Sequence, residues 1–119
     1  MIRKFLICLG CAGALFLMAC HDENSVAELS AQEVYFFFQE GCPHCHTAAE
    51  YIKEKHPELK VRSLDIAMPG NRRLFNQAAR GYRLGMNVGT PLICFGNDYI
   101  MGWGADAPAK FEKYAKKYE

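Results

Sequence analysis

A surplus of charge is what this chain most plainly lacks. Across 119 residues, 14 Lys and Arg stand against 13 Asp and Glu, a formal net charge of +1. Without residues 1–19 the chain loses Arg3 and Lys4, and the balance becomes −1. Neither value supplies the field that draws a protein onto nucleic acid or holds it electrostatically against a membrane. No segment repeats and none is of low complexity. The longest apolar run, residues 5–19, falls short of the roughly 20 residues a membrane-spanning helix needs. Those absences leave an ordinary folded domain.

What is present is apolar. Half the residues are hydrophobic and 13% are aromatic, enough for one domain to pack a core without disulfide scaffolding. The six cysteines therefore call for other readings. Arg3 and Lys4 ahead of the apolar run have the layout of a secretory signal. The run ends in Leu17-Met18-Ala19-Cys20, which resembles the lipobox of bacterial lipoproteins, where cleavage precedes a cysteine that then carries lipid. The expectation is a lipoprotein-type signal peptide over residues 1–19, lipidation at Cys20, and a flexible polar tether over 20–32. Cys8 and Cys11 are spaced as CxxC, but inside the signal they read as small apolar residues. Residues 33–119 are the domain. The same reading expects it to be exported, to face the periplasm or cell exterior, and to be held to the membrane by its N-terminal lipid, in a compartment where cysteines can be disulfides.

The domain opens on Val34–Phe38, which reads as a central strand because it is β-branched and aromatic on both faces. Gln39-Glu40-Gly41 turns the chain, and Pro43 suits the first position of a helix, where its missing N–H costs nothing. Cys45, Ala48, Ala49, Ile52 and His56 recur at helical spacing until Pro57 stops them. A second strand is expected over 59–66. Pro69-Gly70-Asn71 opens a second helix with Leu74, Phe75, Ala78 and Tyr82 on its apolar face and Gly85 as its C-cap. Pro91 leads into a strand, Leu92–Phe95, and Gly96-Asn97 is a two-residue hairpin signal before a strand at 99–101. Asp106 caps a last helix whose face is Phe111, Tyr114, Ala115 and Tyr118.

The chemistry gathers at Cys42 and Cys45. A helix start carries unpaired N–H groups and the positive end of the helix dipole, so a thiolate at Cys42 is stabilised there. That makes Cys42 a nucleophile near neutral pH, and Cys45, one turn on, can close a disulfide with it. His44 tunes the Cys42 thiolate by charge or hydrogen bonding. Glu40 offers a proton acceptor for Cys45, while His46 faces solvent. Cys94 reads as a buried free thiol acting as a small hydrophobe. Trp103, between two glycines, lines the groove beside the active site or packs at its rim. Tyr35, Phe36, Phe37 and Phe38 are core.

CxxC at the first strand–helix junction, with Thr90-Pro91 opening the third strand before a hairpin, resembles the thioredoxin superfamily. The resemblance covers residues 33–119 and implies a compact α/β fold of β-α-β-α-β-β-α order, a four-stranded mixed sheet flanked by three helices. It implies a cis proline at Pro91 beside the active-site disulfide, and Pro43, Thr90 and Trp103 as substrate-binding positions. Pro43-His44 is the central dipeptide of the strongly oxidising DsbA proteins, but residues 66–90 hold one helix rather than an inserted helical domain. Gly41 replaces the tryptophan of thioredoxins, and the first strand lacks their buried aspartate. Size, the Gly-Cys-Pro approach and the run 95–102 look most like a glutaredoxin, whose glutathione-holding carboxylates have only Asp106 as a loose counterpart.

The resemblance thus implies a thiol–disulfide oxidoreductase with catalytic Cys42, Cys45, His44 and Pro91. Its substrates are protein or small-molecule thiols and disulfides of the cell envelope, and a redox partner recycles it. It needs no cofactor beyond its own disulfide, with glutathione left open as a thiol partner. Two other classes share the motif. Cys42-Pro43-His44-Cys45-His46 is also the CxxCH of c-type haem attachment, with His46 and either Met86 or Met101 as axial ligands. Cys42, Cys45 and a histidine could alternatively hold copper or zinc.

Overall fold

A computed structural model of the chain describes residues 29–119. The signal segment with Cys8 and Cys11, the lipidation site Cys20, and the tether as far as residue 28 lie outside the described residues.

Strand β1, Val34–Phe38, is buried on both faces and sits inside the sheet. The order is β2-β1-β3-β4, where β2 is Val61–Asp65, β3 is Leu92–Phe95 and β4 is Asp98–Met101. β2 runs parallel to β1, Val34 opposite Val61, and β3 runs antiparallel to it, Phe36 opposite Ile93. β3 and β4 form the hairpin, with Phe95 opposite Asp98. A parallel pair needs a crossover, and α1, Pro43–Lys55, supplies it between β1 and β2. Helix α2, Pro69–Gly81, joins β2 to β3, and α3, Ala107–Ala115, follows β4 and tightens into a 3-10 turn over Lys116–Tyr118. This is the β-α-β-α-β-β-α order read from the sequence.

The aromatic run of β1 serves two cores because successive side chains point to opposite faces. Val34 and Phe36, with Ile93, Phe95 and Ile100, meet Cys45, Ala48 and Ile52 of α1 and Phe111 and Ala115 of α3. Tyr35 and Phe37, with Leu92 and Cys94, meet Phe75 and Ala78 of α2. Phe37, Phe95 and Phe111 are fully buried, and truncating such a ring to Ala costs about 3–5 kcal/mol.

Four local expectations change. β2 is shorter than 59–66, as suits a half-exposed edge strand. α2 stops at Gly81 rather than reaching a cap at Gly85, and Arg83 takes the left-handed conformation at φ 58°. The Arg83 and Leu84 N–H groups then donate back to the Arg80 and Ala79 carbonyls, the paired closing bonds of a Schellman end. Asp106 stands at the N-cap of α3, but its side chain makes no cap bond and lies 3.4 Å from Lys110 Nζ instead. Residues 29–32, read as the end of a tether, are tied to the domain. The Ser30 N–H donates to Tyr35 Oη at 2.8 Å, and Tyr118 Oη donates to the Ala31 carbonyl at 3.0 Å.

Candidate functional site

Strand direction decides what meets at the site. With β1 and β2 parallel and β3 antiparallel, the end of β1 and the start of β3 share one end of the sheet. The turn after β1 and the Thr90-Pro91 dipeptide before β3 therefore face each other. Gly41 makes that turn at φ +79°, a backbone region side chains disfavour, and delivers Cys42 to the start of α1.

Cys42 is the N-cap, extended at φ −93° and ψ 107°. Its Sγ accepts the Cys45 N–H at 3.2 Å, the task a Ser or Asp oxygen usually performs. Pro43 follows at the first helical position and gives up no needed donor. Cys42 and Cys45 are joined in a disulfide, their Cα atoms 5.2 Å apart. Cys42 is partly exposed, whereas Cys45 is 4% exposed beneath it in the α1 core. Access therefore sorts the pair: Cys42 is the sulfur that solvent meets first.

The Thr90–Pro91 peptide is cis, and Pro91 is fully buried. The Thr90 carbonyl oxygen lies 3.8 Å from Cys42 Sγ, with its hydroxyl oxygen 3.6 Å from the same sulfur. That hydroxyl also lies 3.2 Å from Gln39 Oε1. Its single proton can serve Gln39 while the disulfide stands and turn to the sulfur when a thiolate forms. The spacing in the sequence brought out Thr90 and Pro91 but not Gln39; a polar residue at the mouth of the turn was the available signal.

The remaining candidates scatter. His44 is exposed at the helix start, and among the described residues no hydrogen bond joins it to Cys42. Glu40 is exposed, and His46 is exposed with its Nε2 3.4 Å from Glu50. Trp103 packs against the rings of Tyr51 and Phe111, centroids 5.4 and 6.3 Å away. Met86 is 94% exposed and Met101 39%. Among the described residues no group of three or more His, Cys, Asp or Glu is arranged to hold a metal ion. A hollow of about 360 Å³ opens on the β2 side of α1, with Phe36, Phe38, Cys42, Cys45, His46 and Ser63 in its walls.

A second titratable cluster lies beyond the far end of α1. His56 is buried, with Nδ1 2.5 Å from Glu119 and Nε2 2.8 Å from Glu112. Burial alone would lower its pKa, but the two carboxylates outweigh burial and raise it. Tyr51 also bonds Glu112, and burial together with that carboxylate pushes the phenol up to about 12.

No family profile matches the chain, and no curated protein does. Among solved structures, it is similar to a glutaredoxin from Archaeoglobus fulgidus at a TM-score of 0.51 and 17% identity, over 67% of this chain and 83% of that one. It also overlays on a thioredoxin-like protein at 0.48 and 19% identity, over 73% of this chain and 97% of the other. A buckwheat glutaredoxin–glutathione complex gives 0.48 and 12%, over 70% of each chain. At such identities the first likeness establishes the fold: a thioredoxin-like arrangement with a CxxC pair at the start of its first helix.

Proposed function

We propose that the chain is a thiol–disulfide oxidoreductase in which Cys42 is the nucleophile and Cys45 the resolving thiol. One observation carries the reading: the Cys42 sulfur replaces the oxygen of a helix cap, accepting the Cys45 N–H while facing Thr90. A thiolate in that position gains a hydrogen bond and the helix dipole. Cys42 attacks a substrate disulfide and forms a mixed disulfide, one substrate sulfur leaving as a thiolate. Cys45 then attacks Cys42 Sγ and releases the second sulfur. Oxidation of a substrate dithiol runs the same steps backwards.

His44 is proposed to add to thiolate stabilisation from its exposed place on the first turn of α1. Pro43, Thr90, Pro91 and Trp103 are proposed to shape the surface the substrate meets. Export, a lipid at Cys20, a cell-envelope setting, protein thiols as substrates and a separate recycling partner belong to the same reading. Their support is the sequence before residue 20 and the lipobox-like Leu17-Met18-Ala19-Cys20. Glutathione is a candidate small thiol.

Reduction of insulin disulfides tests the core of the proposal. Wild type should be active, Cys42→Ser inactive, and Cys45→Ser should accumulate mixed disulfides with substrate. Activity surviving in Cys42→Ser refutes the reading. His44→Ala should shift the couple to a more negative potential, measured against glutathione. Cys20→Ala should block lipid attachment in a bacterial expression host, read by membrane fractionation.

A further inference from the structure

The resolving step has an unmet requirement. Cys45 is a thiol until something removes its proton, and it is 4% exposed. Strand β1, which passes beneath the pair, is Val-Tyr-Phe-Phe-Phe and carries no acid. A hollow of about 360 Å³ on the β2 side of α1 has Cys45 in its wall, and its volume admits several waters. Phe36 and Phe38 line it, as does Ser63 of β2, while two proton acceptors stand in its wall, Glu40 and His46.

We propose that His46, reached through water in this hollow, takes the proton from Cys45 during resolution, oriented by Glu50. This rests on the oxidoreductase reading above and adds a residue to it. Glu50, one turn on along α1, sits 3.4 Å from Nε2 of His46. A carboxylate there favours the tautomer with its proton on Nε2, leaving the Nδ1 lone pair to accept. Acceptor strength separates the two candidates. An imidazole is a stronger base than a carboxylate. The imidazole is the better matched acceptor at neutral pH. The charged and titratable groups around it are Glu50 on its own helix and Glu40 and Cys42 from the turn before it.

The step balances within the mixed disulfide. The Cys45 proton passes through water to His46 Nδ1, and the Cys45 sulfur pair attacks Cys42 Sγ. The Cys42–substrate bond breaks, its electron pair leaves on the substrate thiolate, and His46 returns its proton to solvent. The substrate disulfide is the oxidant.

Stopped-flow reaction of the reduced protein with the aromatic disulfide 5,5′-dithiobis(2-nitrobenzoate) separates the two stages. The first thionitrobenzoate released reports attack by Cys42, and the second reports resolution by Cys45. In His46→Ala the second phase should slow about tenfold or more at pH 7, with the difference shrinking towards pH 9 as hydroxide takes over. The first phase should stay within about twofold, and free imidazole, small enough for the hollow, should restore the second. Glu50→Gln should give an intermediate rate. An unchanged second phase in His46→Ala, no rescue by imidazole, or slowing by Glu40→Gln in place of His46→Ala overturns the proposal. A normal first phase in Cys42→Ser overturns the oxidoreductase reading instead, so the two failures are told apart.

Discussion

Cys42 and Cys94 carry the same side chain in two surroundings. Cys42 stands at a helix start, half-buried, its sulfur near the Cys45 N–H and the Thr90 hydroxyl. Cys94 lies in mid-strand on the opposite core, 2% exposed, between Tyr35 and Tyr99 across the sheet. Burial pushes the Cys94 thiol up to about 12, although a hydrogen bond from Tyr82 pulls the other way. Desolvation with one donor disfavours the thiolate; partial exposure with a helix end and a hydroxyl favours it. The reactivity of a cysteine here is set by what surrounds it.

The largest effect expected from that contrast is in activity. Cys42→Ser should bring insulin reduction to background, while Cys94→Ser should leave it near wild type once folding is confirmed by circular dichroism. Loss of activity in both would mean the two thiols communicate. Next comes alkylation. With its thiol held up at about 12 rather than its ordinary 9.0, Cys94 carries about a thousandfold less thiolate at neutral pH. In the reduced protein at pH 7, iodoacetamide should label Cys42 at least that much faster than Cys94, read by peptide mass spectrometry. Denaturant should erase the protection of Cys94.

His56 sharpens the contrast, because there burial and partners oppose each other and the partners win. Its pKa is raised on folding, so the stability it adds is complete below about pH 6.5 and fades as pH rises through the folded value. Glu112 is held below its ordinary value first by Tyr51 and then by His56, so its own contribution fails only at the acid end. Urea midpoints at pH 5.5 and 8.5 should show wild type less stable on the alkaline side, a loss limited by the half-exposure of both carboxylates. His56→Ala should be flat over the same window; an equal decline in both proteins would remove His56 as the cause. The smallest effect belongs to Thr90→Val, which deletes a hydroxyl 3.6 Å from Cys42 Sγ. Thiolate absorbance at 240 nm should titrate higher by less than about one unit, or ~1.4 kcal/mol; a downward shift would contradict the assigned role of that hydroxyl.

The sequence made legible whatever depends on near neighbours. β1 and the starts of α1 and α2 follow from apolar periodicity and two prolines, and the hairpin from Gly96-Asn97. Gly96 turns at φ +78° and leaves room for Tyr118 Oη, which would come within 3.1 Å of an added Cβ. The CxxC motif makes Cys42 and Cys45 legible, Thr90 and Pro91 follow from the family resemblance, and strand direction brings all four to one end of the sheet. What escaped depends on distant partners. His56 looks like one more residue on the apolar face of α1, since Glu112 and Glu119 are more than 50 positions away. The end of α2 departs from the glycine-capped expectation because Arg83 takes the left-handed place ahead of Gly85. Trp103 was assigned by its flanking glycines, and only the fold shows the rings of Tyr51 and Phe111 beside it.

The ties at Ala31 also carry a consequence for orientation. Residues 29–32 enter at the N-terminal end of β1, where Tyr118 and the Gly96 turn close over them, and the disulfide lies beyond the opposite end of that strand. The chain therefore enters the domain at Leu29 on the pole opposite the Cys42 sulfur.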